Sequence, residues 1–126
     1  MAPTPRPIEL HLPADPNLLR VARVAVAAVA AALPFTLDDI EDLRIAVDEL
    51  GARAIEDLEP DATLELSISA SDDGVTVAGR VPGAGPLPPL HPVAADLLAM
   101  ARIDLDPEVA GDRAFRFTKR ASVPAT

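Results

Sequence analysis

The chain has 126 residues, 49% of them apolar, and a net charge of −9. That is the size of one domain with a single aliphatic core. Zero Cys excludes disulfides and thiolate metal sites, and an acidic chain with three Phe and no Tyr or Trp is a poor match for nucleic acid, which calls for cationic surface and commonly aromatic stacking.

Ile8, Leu10 and Leu12 alternate with Glu9 and His11, a short strand with one buried face. Asp15 is placed to cap, and Pro16 to open, a helix over about Pro16–Leu33. Its expected stripe is Leu18, Val21, Ala25, Ala28, Val29 and Ala32. After Pro34, Thr36 and Asp39 stand as a capping-box variant. The second helix is expected over about Leu37–Leu58, with Ile40, Leu43, Val47, Leu50 and Ala54 inward and Ile45 and Ala52 exposed opposite. Leu64, Leu66 and Ile68 alternate as a second strand, and Asp73-Gly74 signals the hairpin to a third that carries Val75, Val77 and Gly79 to Val81. A loop over Pro82–Pro92 precedes a third helix, about Pro92–Ile103, carrying Val93, Leu97, Leu98 and Met100. A brief strand is possible at Ile103–Leu105, a last strand carries Phe115 and Phe117, and the tail from Ala121 is expected to fray.

This order predicts an α+β two-layer sandwich, a mixed or antiparallel sheet covered on one face by about three helices. One domain spans residues 1–126, with its core at about 8–120. No run reaches the roughly 18 uncharged apolar residues of a membrane span, and MAPTPRPIEL lacks a signal core. The expected location is cytoplasmic.

Catalytic material is sparse. His11 and His91 stand alone, so no metal site is expected. The segment Val81-Pro-Gly-Ala-Gly-Pro86 could turn backbone N–H groups toward a phosphate, but no Lys or Ser/Thr follows as in a P-loop, and a rigid surface loop is the simpler reading. Glu49 and Arg53 are four apart on one flank of the second helix, the spacing of an ordinary solvated ion pair.

The segment Asp42-Leu-Arg-Ile-Ala-Val-Asp-Glu-Leu-Gly-Ala-Arg-Ala-Ile55 resembles the long helix of the RsbW/SpoIIAB-type anti-sigma factors, members of the GHKL (histidine-kinase/Hsp90-like, Bergerat) ATPase fold. Pro60 to Leu66, the Asp-Gly hairpin and Phe115-Arg-Phe-Thr-Lys-Arg120 continue the resemblance, which is nearest the actinobacterial UsfX-type branch. The resemblance implies a sigma factor as partner, a STAS-domain anti-anti-sigma factor as antagonist, a homodimer and a role in stress-responsive transcription. It places the family's catalytic Glu at Glu49 and the magnesium-binding Asn at Arg53, with Gly83 and Gly85 as relics of the nucleotide lid. Arg has donors only and cannot ligate magnesium, though it could meet phosphate directly. No Asp follows the third strand to read adenine. ATP or ADP with Mg2+ is therefore expected to bind weakly or not at all. The alternative is an active serine-protein kinase with Glu49 as base and Arg53 as phosphate ligand.

Overall fold

The computed structural model describes residues 6–122; the first five residues and residues 123–126 of the tail lie outside it. The elements are β1 (Ile8–Pro13), α1 (Leu19–Ala30), α2 (Leu37–Ile55), β2 (Thr63–Ala70), β3 (Gly74–Arg80), α3 (Pro92–Met100), β4 (Asp104–Leu105) and β5 (Phe115–Arg120). The sheet is antiparallel throughout, in the order β1-β2-β3-β5-β4. The α+β two-layer sandwich read from the sequence is the architecture found.

Alternation decides the faces. Leu12, Leu64, Leu66, Ile68, Val75, Val77, Phe115 and Phe117 point into one buried core with the helices. Each such side chain contributes about 1.5–3 kcal/mol on burial. The residues between them, including Glu9, His11, Glu65, Ser67, Thr76, Ala78, Arg80, Arg116 and Thr118, lie on the other face. Gly79 sits opposite both Leu66 and Phe115 in register. A Cβ there would collide with the Phe115 ring and come within 3.0 Å of Leu66, so the ring packs where a side chain would have been.

Asp15 and Pro16 open a helical segment as expected, but its first turn, Pro16–Leu18, is 3-10, and α1 proper ends at Ala30. The buried stripe of α1 is Leu19, Ala22, Val26 and Ala30, with Ala25 and Val29 half-buried. The expected stripe is out of phase: Val21, Ala28 and Ala32 are exposed. Arg20 and Arg23 are its only polar residues, and from Val24 on it is Ala and Val alone, so little in the sequence fixes its phase.

The capping box is present: Asp39 N–H donates to Thr36 Oγ1 at 3.0 Å, and Thr36 N–H donates to Asp39 Oδ2 at 3.1 Å. Leu43, Val47, Leu50 and Ala54 face inward as expected, and Ile40 is half-buried. The buried face is wider than expected, adding Ala46, Gly51, Arg53 and Ile55, because α2 packs on both α1 and the sheet. At Gly51 a Cβ would stand 2.9 Å from Leu19 Cδ2, so the missing side chain lets α1 and α2 approach closely. Ile45 is half-buried rather than exposed, whereas Ala52 is exposed.

The hairpin between β2 and β3 forms, closed by Ser71 N–H donating to the Gly74 carbonyl at 2.9 Å. Gly74 is the first residue of β3, buried, where a Cβ would lie 2.9 Å from the Lys119 carbonyl oxygen. On α3, Ala94 and Leu98 are buried, whereas Val93 and Met100 face outward at 70% and 79% exposure. Ala121 and Ser122 are tied down rather than frayed: Ala121 N–H donates to the Asp73 carbonyl at 2.7 Å, and Ser122 binds Asp39. Among the described residues no helix is long and apolar enough to cross a membrane.

Candidate functional site

Glu49 and Arg53 lie on successive turns near the end of α2. Glu49 is half-buried and Arg53 is buried. They do not pair with each other, contrary to the spacing. The Arg53 guanidinium instead forms an ion pair with Glu56, which stands where the helix stops. Backbone geometry explains the choice: Glu56 leaves the helix at ψ 130° and Asp57 follows at φ +60°, folding Glu56 back toward the last turn. The Nε of Arg53 is buried without a hydrogen-bond partner among the described residues.

The C-terminal end of α2 is closed by a residue the sequence did not flag. Arg113 Nη1 donates to the carbonyls of Glu56 at 3.0 Å, Ala54 at 3.2 Å and Arg53 at 3.4 Å. A cation on the last carbonyls satisfies orphan acceptors and opposes the negative end of the helix dipole. Arg113 also holds the glycine loop, its N–H donating to the Gly85 carbonyl at 2.7 Å and its Nε to the Ala84 carbonyl at 3.4 Å. Asp112 completes the clamp: its carboxylate accepts from Gly83 N–H at 2.6 Å and its carbonyl from Val81 N–H at 2.9 Å.

Arg53, Gly83 and Gly85 are thus brought to one corner of the fold by Arg113, with Glu49 one turn away. The glycines adopt φ +79° and +77°, where side chains are strained. A Cβ at either would meet nothing within 4 Å, so backbone conformation accounts for both.

These residues do not fit a magnesium nucleotide. The position at which the family resemblance expects a metal ligand carries a guanidinium already engaged by Glu56. The amide of Gly83, which could face a phosphate, donates to Asp112 instead. A cleft of about 340 Å³ beside Leu50 is lined largely by apolar groups, including Leu87, Leu90, Leu105 and Phe115, with Asp106 and Arg116 as its charged members. A second cleft, about 280 Å³, is lined by Glu9, His11, Glu65 and Arg80 of the sheet together with Val109, Ala110 and Ala114. Among the described residues no group of three or more His, Cys, Asp or Glu could hold a metal ion.

A buried ionic cluster lies at the opposite end of α2. Lys119 Nζ donates to the Ala101 carbonyl at 2.8 Å and to Asp42 Oδ2 at 3.1 Å, and stands 3.9 Å from Asp39 Oδ1. Asp39 Oδ2 also accepts from Ser122 N–H at 3.1 Å and Ser122 Oγ at 2.9 Å. Burial alone would raise the Asp39 pKa, but the backbone N–H groups of Ser122 and Thr36, with both hydroxyls, more than offset it and hold the carboxyl below its ordinary value. The cluster joins α2, α3 and β5. A signal for it exists: Lys119 follows Phe115 and Phe117 at strand spacing, on the inward face.

Comparison with known proteins agrees with this architecture. No family model matches the chain. The serine-protein kinase RsbW of Bacillus velezensis is 29% identical over 100 residues, covering 68% of this chain and 62% of that protein. The anti-sigma-F factor RsbW of Mycobacterium tuberculosis is 38% identical over 72 residues, covering 57% of this chain and 43% of that protein. This chain is RsbW-like. A solved structure of the RsbU and RsbW domains of Rv1364c from Mycobacterium tuberculosis matches 95% of the RsbW-like chain and 33% of that chain, with TM-score 0.58 and 19% identity, which establishes the shared GHKL-type fold. The RsbW-like chain spans about six-tenths of the length of the Bacillus relative.

Proposed function

We propose that this RsbW-like chain sequesters a sigma factor by protein–protein binding and is released from it by a competing STAS-type antagonist, as a cytoplasmic homodimer, with nucleotide binding weak or lost. The observation that carries the reading is the outward side of α1. Its inner stripe packs on the core, yet Val21, Val24 and Ala28 on its outer side and Ala31 and Ala32 just past its end are exposed, with Val24 at 70% and Arg20 exposed beside them. A helix with exposed Val and Ala on the side away from its core stripe has apolar surface that a second layer can cover. Exposed apolar side chains with a cation beside them are what protein partners cover. The chain's net charge of −9 suits a partner with basic surface around an apolar anchor.

The clamp at Arg113 and Asp112 supports a switch that does not run on nucleotide, because the glycine loop is held by the protein's own groups. Phosphoryl transfer depends on placing and neutralising phosphates, and at this corner the Arg53 position holds a guanidinium paired with Glu56 and the Gly83 amide is taken by Asp112.

The test is capture of purified sigma factors on the immobilised chain, with Val24→Glu as the variant. Capture is expected with the native chain, reversed by a STAS antagonist, indifferent to Mg-ATP, and reduced at least tenfold by the Glu, which would have to be desolvated on binding. Capture that survives Val24→Glu would remove α1 from the reading. Transfer of labelled phosphate to the antagonist would overturn nucleotide independence.

A further inference from the structure

The last strand leads into a tether at the start of α2, far from the Arg53 corner. Beyond β5 the chain continues through Ala121 to Ser122, and Ser122 is held by Asp39. Its N–H donates to Asp39 Oδ2 at 3.1 Å, and its hydroxyl donates to the same oxygen at 2.9 Å. Asp39 is buried, whereas Ser122 is exposed. A buried carboxylate is therefore held in part by a hydroxyl on a residue that other proteins can reach. Ser122 lies past the β3–β5 pairing, which stops where Arg120 meets Gly74, so it can leave Asp39 without breaking the ladder.

The sequence around this hydroxyl is ordered by charge. Lys119 and Arg120 stand three and two positions before Ser122, and the apolar Val123 follows it. From Arg113 to Thr126 there are four cations and no acid, in a chain with 20 acids. Protein kinases select their substrates partly by such charge patterns, and an acidic cleft draws a basic segment. Arg120 is available to be read: it is exposed, and its contacts with Asp73 at 3.6 Å and Asp104 at 3.5 Å are solvated pairs of the kind that hold little.

We infer that Ser122 is a phosphorylation site for a separate serine/threonine protein kinase that selects basic residues before its serine, and that the phosphate releases the end of β5 from α2. In the transfer, Ser122 Oγ attacks the γ-phosphorus of ATP held by that kinase. An Oγ–P bond forms, the bond from that phosphorus to the β–γ bridging oxygen breaks, and ADP leaves. The hydroxyl proton passes to the kinase's own carboxylate base. The product carries a charge of about −1.5 to −2 at neutral pH. It has lost the donor that bound Asp39 and sets its charge beside that carboxylate. A helix N-terminus ordinarily favours an anion, but the first turns of α2 already carry Asp38, Asp39, Glu41 and Asp42. Lys119, the cation of the cluster, already serves Asp42 and Asp39. Repulsion therefore prevails, and residue 122 is expelled from Asp39, which keeps Thr36 and Lys119.

The test incubates the purified chain with labelled ATP, alone and with a lysate of the cells it comes from, as native, Ser122→Ala and Arg120→Ala protein. Circular dichroism verifies the fold of each. Label should enter the native chain only when lysate is present, and mass spectrometry of its peptides should place the phosphate on Ser122. Ser122→Ala should abolish the label, and Arg120→Ala should lower it roughly tenfold. Absence of label with lysate, or label that survives Ser122→Ala, would overturn the site. Label without lysate would overturn the separate kinase, and with it the nucleotide independence of the reading above. Thermal melting then tests the release. The phosphorylated chain should melt about 4 °C or more below the unmodified one, with Ser122→Ala between them, because it loses the hydroxyl bond but adds no charge. A phosphorylated chain that melts no lower than Ser122→Ala would overturn expulsion by repulsion. None of these results bears on sigma-factor capture, which Val24→Glu probes on α1.

Discussion

Replacing Asp39 by Ala isolates the buried cluster that joins α2, α3 and β5. The change removes the acceptor for Thr36 N–H at 3.1 Å, and for Ser122 N–H and Oγ at 3.1 and 2.9 Å. It also removes a carboxylate 3.9 Å from the buried ammonium of Lys119, which keeps Asp42 and the Ala101 carbonyl. Half of a capping box is worth about 1 kcal/mol. A hydrogen bond to a charged group contributes about 1.5–3 kcal/mol, and bonds that share one carboxylate do not add fully. The expected loss is about 3 kcal/mol, a large part of the roughly 5–15 kcal/mol that a domain has. Urea unfolding should show it as a midpoint lowered by about 1.5 M at an unchanged slope near 2 kcal/mol/M. The exposed neighbour serves as control, since Asp38→Ala should cost well under 1 kcal/mol. A loss below about 1 kcal/mol for Asp39→Ala would refute the view that this carboxylate organises the end of α2. The pH profile adds a second check. The folded pKa of Asp39 is below its ordinary 3.8, so its contribution is complete above that pH and lost as pH falls through the folded value. Below pH 3.8 the native chain should therefore lose stability that Asp39→Ala never had.

Two further outcomes are expected. Arg53→Asn restores the residue type that the family resemblance calls for, but calorimetry should still show no Mg-ATP binding tighter than about 1 mM, since the glycine loop remains clamped and no Asp follows β3; micromolar affinity would show that Arg53 alone blocks the site. Gly79→Ala should lower stability by about 1–3 kcal/mol or more through collision with Phe115, whereas Gly83→Ala should lower it by only about 1 kcal/mol through its positive φ; thermal melting of both variants compares the two.

Much of the molecule was legible from residue order. Period-two alternation located the strands, and Thr36 with Asp39 located the start of α2. Local rules suffice where one face is apolar and the other polar, and there they predict the right partner layer. The α1 phase escaped because, beyond Arg20 and Arg23, that helix is almost wholly Ala and Val, so its neighbours choose which side is buried. The site was legible in part: Glu49, Arg53, Gly83 and Gly85 share one corner, but the partner of Arg53 was misread, and Arg113 and Asp112 were missed. A loop arginine nearly sixty residues from the helix it caps has no local pattern to announce it.

What the sequence by itself determined is the order of elements and the aliphatic core, since these follow from side-chain chemistry and short-range periodicity. The tertiary structure alone decided the Arg113 clamp and the Asp39–Lys119 cluster. Each depends on residues far apart in sequence meeting at distances of a few ångströms, and only the closed sheet with its packed helices sets those distances.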